Sequence, residues 1–382
     1  MKRLILDLIR RAVGTNQVLE RLERVESRTA ATVGSSSFPI QNWWERSYWE
    51  PTVALAIRDH CRPGHVVFDV GANAGALSMM MSRLVGPRGI VCAFEASPRI
   101  IDKTQYNLVN AGCTNVTLYH KAVWHKTSAV VNLTAGSHLN DRIEEGATGM
   151  AVRTLALDDF VAASNLRPSF IKMDIEGAEF DALRGMERLL REARPILVVE
   201  QSPSDMRCHE LLTKHSYVAV DLATYRPIRT QHDFPAGTGI ANLLFVPQES
   251  ADKSPYFAGA PKKVAVLSFD RFDQASDGSI SMPEPPVLSP GRYIIQAEFT
   301  AEGIENEVFA GVEADGEVIL RYHTYTRFMG ESYTRWVVHL DREARIAPYL
   351  RFLRGNDPTL RWNGAAVFRI SAFDSQPSVV VE

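Results

Sequence analysis

Four acids, Asp69, Glu95, Asp174 and Glu200, each stand at or just past the end of a short apolar run. In Val66-Val67-Phe68-Asp69-Val70-Gly71-Ala72-Asn73-Ala74-Gly75 a β-branched and aromatic run gives way to small residues, and residues 76–84 follow with Leu77, Met80, Met81 and Leu84 at helical spacing. Strand, tight turn and helix in that order set a glycine turn at a helix start, where backbone N–H groups favour a polar or anionic ligand. The next run, Ile90-Val91-Cys92-Ala93-Phe94, ends in Glu95, twenty positions past Gly75. A carboxylate so placed can accept both hydroxyls of a ribose, so the pattern reads as a nucleoside site.

Glycine spacing narrows the choice of nucleoside. A dinucleotide turn is G-x-G-x-x-G, but here the pattern is D-x-G-x-N-x-G, with Ala72 and Asn73 between the glycines. That turn suits a ligand without a pyrophosphate. S-adenosylmethionine fits, because its amino acid end carries an ammonium for Asp69 and a carboxylate for backbone N–H groups. The plainer alternative is an ordinary βαβ turn.

The second informative stretch is Phe170-Ile171-Lys172-Met173-Asp174-Ile175-Glu176-Gly177-Ala178-Glu179. An apolar strand ends in Asp174, and Gly177 admits the turn into a helix with Ala182, Leu183, Met186, Leu189 and Leu190 on its core face. Residues 195–199 form a fifth strand ahead of Glu200. Ligands of open α/β sheets bind outside the carboxyl ends of the strands, so the four acids converge on one edge. Strand alternation puts Lys172 and Asp174 on one face, in reach of an ion pair. A hydroxyl acceptor needs a base, and Asp174, Glu176 and Glu200 are candidates by location. His138 is nearly equal to them: it lies in the polar stretch 136–142, between extended pieces at 129–133 and 150–153, and titrates near neutrality. Oxygen ligands suit Mg²⁺, but two acids from different strands are a weak sign of a metal site, and no ligand set is assigned.

The elements that must position these groups alternate strand and helix to about residue 246, which implies a doubly wound, mostly parallel sheet. With 382 residues, 45% hydrophobic and 23% charged, the chain has the composition of a globular protein of two or three domains. A net charge of −3 argues against nucleic acid as a partner. Cys61, Cys92, Cys113 and Cys208 lack metal-ligand spacing, and no run is long enough for a membrane span, so the expected compartment is the cytoplasm. Residues 1–30 form an amphipathic helix: Leu4, Ile5, Leu8, Ile9 and Ala12 share a face flanked by Lys2, Arg3, Arg10 and Arg11. Such a helix can dock on its own domain, pair with a second copy, or lie on the inner face of an anionic membrane. Trp43, Trp44, Tyr48 and Trp49 precede Pro51 and read as packing for a helix from Thr52, with an acceptor pocket as the alternative.

After residue 248 the character changes. Residues 249–263 read as a linker, and 264–382 as about 120 residues of strands and turns, a jelly-roll-like β-sandwich. Nine arginines against four acids between Arg321 and Arg369, interleaved with Tyr322, Tyr325, Phe328, Trp336 and Trp362, can hold an acidic glycan or simply form solvated strand faces.

Residues 67–75, Phe94-Glu95-Ala96-Ser97-Pro98, Val152-Arg153-Thr154-Leu155 with Leu157-Asp158-Asp159, and above all Ile171-Lys172-Met173-Asp174-Ile175-Glu176-Gly177-Ala178-Glu179 with Leu183-Arg184-Gly185 resemble the FkbM-type S-adenosylmethionine-dependent methyltransferases. The resemblance implies a Rossmann-like domain over about residues 40–248. It implies cofactor contacts from Asp69, Gly71, Asn73, Gly75 and Glu95, with Lys121 and Ala122 beside the adenine. The chain departs at Thr154-Leu155-Ala156-Leu157-Asp158, two residues longer than the compact pattern, which loosens any role for Asp158. The reading that follows is an O-methyltransferase acting on a saccharide hydroxyl, with the sandwich serving recognition or assembly. The rivals are a polyketide or other small-metabolite acceptor, and a non-catalytic glycan-binding scaffold.

Overall fold

The computed structural model describes residues 50–134, 142–143, 149–235, 238–259, 261–267, 273–274, 280–282, 284–300, 307–325, 335–354 and 361–370. The expected helix at 1–30, the aromatic stretch 43–49 and His138 lie outside the described residues.

The chain enters with helix α1 (Pro51–His60), and β1 (Val66–Val70), α2 (Ala76–Val85), β2 (Ile90–Glu95), α3 (Ile101–Asn110) and β3 (Val116–His120) follow. Four short strands come next: β4 (Ala122–Val123), β5 (Val130–Thr134), β6 (Arg142–Ile143) and β7 (Met150–Leu155). The alternation resumes with α4 (Leu157–Ser164), β8 (Phe170–Met173), α5 (Glu179–Arg184), α6 (Glu187–Glu192), β9 (Ile196–Gln201), α7 (Arg207–Lys214), β10 (Tyr217–Asp221), β11 (Pro227–Ile228) and β12 (Ala241–Pro247).

The main sheet runs β11-β10-β12-β9-β8-β1-β2-β3. Strands β3, β2, β1, β8 and β9 are parallel, whereas β12 lies antiparallel between β9 and β10. Chain order reverses at β1, whose neighbours are β2 and β8. A crevice therefore opens at its carboxyl end. Strand alternation sends Phe68 and Val70 to one face, with the buried side chains of α4, α5, α6 and α7, and sends Val67 to the other, with Leu77, Met81 and Leu84 of α2 and Ile57 of α1. Asp69 shares the α1 and α2 face by the same alternation. The pieces expected at 129–133 and 150–153 pair as β5 and β7 in a separate four-stranded sheet, β4-β7-β5-β6.

Beyond β12 the chain builds antiparallel strands: β13 (Lys262–Leu267), β14 (Asp273–Gln274), β15 (Ile280–Ser281), β16 (Val287–Leu288), β17 (Gly291–Thr300), β18 (Glu307–Ala314), β19 (Glu317–Tyr325), β20 (Arg335–Leu340), β21 (Ala344–Arg354) and β22 (Arg361–Ile370). One sheet runs β13-β22-β17-β20 and the other β14-β15-β21-β18-β19, with β16 beside β21. Tyr293, Ile295, Trp336 and Val367 of the first sheet meet Val312, Ile346 and Leu350 of the second in one core. Alternate residues Ile294, Val337 and Ile370 turn outward into the cluster that holds α1 and α2. The first sheet thus has apolar contacts on both faces.

Parts of the stretch 249–263, expected as a linker, are ordered. Gln248–Ala251 is helical, Pro255–Phe257 makes a 3₁₀ turn, and Tyr256 is buried, its ring stacked on Tyr225. Trp336 likewise is no part of a glycan-gripping surface, because its position on β20 points it into the core between the two C-terminal sheets, where it is fully buried.

Candidate active site

Gly71 opens the turn after β1 with φ 84°, and a Cβ there would sit 1.8 Å from the Asp174 carbonyl oxygen. The backbones following β1 and β8 therefore approach as only glycine allows. The N–H groups of Gly71 and Ala72 donate to the Phe94 carbonyl at 2.9 and 3.0 Å, which ties the turn to the end of β2. Asn73 takes a left-handed φ of 47°, and Gly75, at 87°, starts α2. Thr104 and Asn107 of α3 donate to the carbonyls of Asn73 and Ala74, so the turn is held from above as well.

Glu95 stands at the centre of this arrangement. Its Oε2 accepts the Asn73 N–H and its Oε1 the Ser97 N–H, both at 2.7 Å. Burial pushes the carboxyl up while these two donors pull it down. Each oxygen keeps a second lone pair, which is what a ribose diol requires of a carboxylate. Lys121 and Ala122 follow β3, and the Lys121 N–H donates to the Glu95 carbonyl at 3.1 Å.

Asp69 lies beneath the turn and not on its surface. It is 0% exposed, with Oδ2 accepting from the Ser78 hydroxyl at 2.5 Å and Oδ1 lacking a hydrogen-bond partner among the described residues. Its neighbour across the β1/β8 ladder is Lys172, whose Nζ lies 4.0 Å from Asp69 Oδ1 and 3.5 Å from Asp174 Oδ2 and donates to the Gly71 carbonyl at 3.0 Å. The expected Lys172–Asp174 pair is therefore present. Burial alone would lower the Lys172 ammonium, but Asp174, Asp69 and Glu50 outweigh it and hold the lysine charged.

A second group of acids lies at the ends of β8 and β9. The carboxylate oxygens of Asp174, Glu179 and Glu200 fall within 4.8 Å of one another. Glu179 Oε1 accepts the Ile175 N–H at 2.7 Å, and Asp174 faces Lys172, so two of the three are engaged and the ammonium supplies the local positive charge. Burial, then Asp174, Glu179 and Glu176, push Glu200 up to about 8. Glu176 adopts a left-handed φ of 58° in the turn before α5.

Sequence reasoning missed Glu50, the residue before α1. Asn242 Nδ2 donates to Glu50 Oε1 at 3.4 Å, and Lys172, Asp174 and Asp69 all act on its charge. The Glu50-Pro51 pair signals only a helix start. Asp158 and Gly185, part of the resemblance, prove architectural. Asp158 accepts the N–H groups of Arg188 and Leu189 at 2.9 and 2.8 Å, and a Cβ on Gly185 would lie 2.2 Å from the Trp124 carbonyl oxygen.

The residues present fit an adenosyl ligand: a carboxylate with both oxygens oriented, and a turn without bulk held from beneath by Asp69, Ser78 and Lys172. The reversal of strand order at β1 and this turn define a Rossmann-like nucleoside-binding domain of the methyltransferase class. Residues 69–218 match the methyltransferase FkbM domain, and this segment is an FkbM-type S-adenosylmethionine-dependent methyltransferase domain. The chain is 25% identical over 152 residues to the hexuronic acid methyltransferase AglP of Haloferax volcanii, covering 39% of this chain and 61% of that one. It is 26% identical over 118 residues to protein-L-isoaspartate O-methyltransferase of Methanococcoides burtonii, covering 29% and 58%. Among solved structures, methyltransferase FkbM from Methylobacillus flagellatus KT aligns over 48% of this chain and 43% of that one, at 18% identity and a TM-score of 0.33. No described helix is long and apolar enough to cross a membrane.

Proposed function

We propose that this protein transfers a methyl group from S-adenosylmethionine to a hydroxyl of a saccharide or glycan. The observation that carries the reading is Glu95, its two oxygens aligned by Asn73 and Ser97 beside an acid-lined edge made by Asp174 and Glu200. When bound, the cofactor supplies an electrophilic methyl group on a positively charged sulfur. Gly71, Asn73, Gly75 and Glu95 would hold it, Lys121 and Ala122 would flank the adenine, and Asp69 would steady the floor through Ser78 and Lys172. What remains for the protein is to orient the acceptor and take its proton, and carboxylates serve both ends because they also grip vicinal hydroxyls. The relative that acts on a hexuronic acid supports a sugar acceptor.

In this proposal residues 40–248 form the catalytic domain and 264–382 a jelly-roll-like domain for recognition or assembly, in a protein of the cytoplasm. The N-terminal helix makes either a copy-to-copy or a membrane contact. Lys172 already provides a cation among the acids, so turnover should survive a chelator. The test is calorimetric titration with S-adenosylmethionine and separately with NAD, followed by tritiated methyl transfer to methyl glycosides of neutral hexoses and of hexuronates, with and without EDTA. Binding of S-adenosylmethionine but not NAD, and label on a glycoside oxygen, support the reading. Absence of S-adenosylmethionine binding sinks it.

A further inference from the structure

Glu50 has three features that its place at a helix start does not explain. Its backbone is left-handed, φ 44° and ψ 60°, a region that residues bearing a Cβ seldom occupy. Its carboxylate makes no capping hydrogen bond to α1, although the residue occupies the cap. The side chain goes instead to Asn242, whose own Oδ1 is buried without a hydrogen-bond partner among the described residues. Asn242 stands directly opposite Glu200 in the antiparallel β12/β9 ladder, so both side chains leave the sheet on one face. One amide therefore lies between Glu50 and the neighbourhood of Glu200.

Three other acids near this edge are already engaged. Glu179 holds the Ile175 N–H, Asp174 faces Lys172, and Asp69 is sealed beneath the turn. We propose that Glu50 receives the proton of the acceptor hydroxyl, with Glu200 beyond Asn242 acting on it through charge, so that the two behave as one electrostatically linked carboxyl pair at the acceptor edge. The proposal rests on the methyl-transfer reading above and names a residue in it. In the step, the acceptor O–H bond breaks with its proton passing to the Glu50 carboxylate, and the acceptor oxygen forms a bond to the methyl carbon. The carbon–sulfur bond breaks with its electron pair going to sulfur, so the sulfonium becomes a neutral thioether. The proton then leaves to solvent from Glu50, which is partly exposed.

The surroundings suit this task. Burial raises Glu50 to about 7, with Asp174 and Asp69 adding to the rise and Lys172 and Asn242 opposing it. Glu200 is raised to about 8 by burial and by Asp174, Glu179, Glu176 and Glu50. Interacting carboxyls lose their protons in steps that belong to the pair, so near neutrality the pair keeps one proton and one charge. A base poised there is better matched to a hydroxyl than an ordinary carboxylate is.

The experiment has two arms on the full chain. Carbon-13 NMR of protein labelled at the glutamate carboxyl carbons follows Glu50 and Glu200 through a pH titration, with Glu50→Gln and Glu200→Gln giving the assignments. The pair should titrate near 7 and 8, and Glu50→Gln should bring the Glu200 midpoint down. Tritiated methyl transfer to a pool of methyl glycosides of neutral hexoses is the second arm. Glu50→Gln should cut kcat by about 100-fold or more and abolish its dependence on pH near neutrality, while the Kd for S-adenosylmethionine stays within about threefold. A Glu50 carboxyl that titrates in the ordinary range, or a Glu50→Gln enzyme within about threefold of the parent kcat, overturns the proposal. A wild-type protein inert toward the pool, with the pair titrating as stated, counts against sugar methylation and leaves the pair standing.

Discussion

At the scale of single residues, the site is built on close approaches that leave no room for substitution. Gly71→Ala would put a methyl group into the Asp174 carbonyl in a left-handed backbone, and the expected loss is about 3 kcal/mol or more, read from urea unfolding. Glu95→Gln keeps the shape of the side chain but turns an amide N–H toward the Asn73 or Ser97 N–H. S-adenosylmethionine affinity should fall about 10- to 100-fold by calorimetry. An unchanged Kd would remove Glu95 from the site. The pH dependence of stability has two arms of opposite sign. Burial holds His60 at about 4 against its ordinary 6.5, so the stability it contributes is present above 6.5 and is lost as pH falls toward 4. Glu50 and Glu200 are raised, so theirs is full below about 4.5 and lost as pH rises through 7 and 8. The fall in Tm on the alkaline side should therefore shrink in the Glu50→Gln, Glu200→Gln double variant. Asp69, Glu95, Asp174 and Glu200 were legible because each stands at or near the end of its own apolar run. Glu50 was not, because its only local signal is a proline, and its partner Asn242 is brought to it by strand pairing across the sheet.

Elements are legible where periodicity is strong and illegible where direction or pairing decides. Residues 76–84 announce a helix by their apolar spacing and α2 occupies them, whereas the single helix expected after Gly177 is broken at Gly185 and Met186 into α5 and α6. A strand pattern carries no arrow, so nothing in Asn242-Leu243-Leu244-Phe245-Val246 shows that β12 runs against β9. That insertion matters, because it is what brings Asn242 opposite Glu200. Motif residues can mislead in the other direction. Asp158 sits in a stretch that resembles a family signature, yet its two oxygens accept N–H groups from the first turn of α6. Asp158→Ala should cost about 1–2 kcal/mol in unfolding, as loss of a helix cap does, and leave S-adenosylmethionine affinity unchanged. A variant that kept its stability but lost affinity would return Asp158 to the binding site.

At the scale of the molecule, the question is what the C-terminal sheets do for the domain before them, and a buried ion pair bears on the answer. Arg292 of β17 is 0% exposed, and its guanidinium grips both oxygens of Asp59, near the end of α1, while also reaching the hydroxyls of Tyr225 and Tyr256. Tyr256 in turn donates to Asp59 at 2.6 Å, and His60 stacks between Tyr256 and Phe170 of the main sheet. Helix α1 is therefore held near its end by the C-terminal sheet and follows directly on Glu50, so the sheet that looks like an appended module fixes the element next to the acid proposed for the acceptor edge. The energetics of such a pair are asymmetric. Replacing one partner leaves a desolvated charge with nothing to answer it, whereas replacing both removes the charge along with the interaction. Arg292→Met should cost about 3–5 kcal/mol, and the Asp59→Asn, Arg292→Met double variant should recover a substantial part of that. Urea unfolding followed by fluorine NMR of protein labelled with 5-fluorotryptophan, in which Trp336→Phe assigns the resonance of Trp336 among the six tryptophans, and by far-UV circular dichroism distinguishes the cases. Coincident transitions that move together in the single variant mean the C-terminal sheets and the methyltransferase domain unfold as one unit, with α1 between them. A single variant as stable as the parent, or a Trp336 transition that separates from the rest in the parent itself, would mean the sheets are an independent module and that Glu50 owes its place to the main sheet alone.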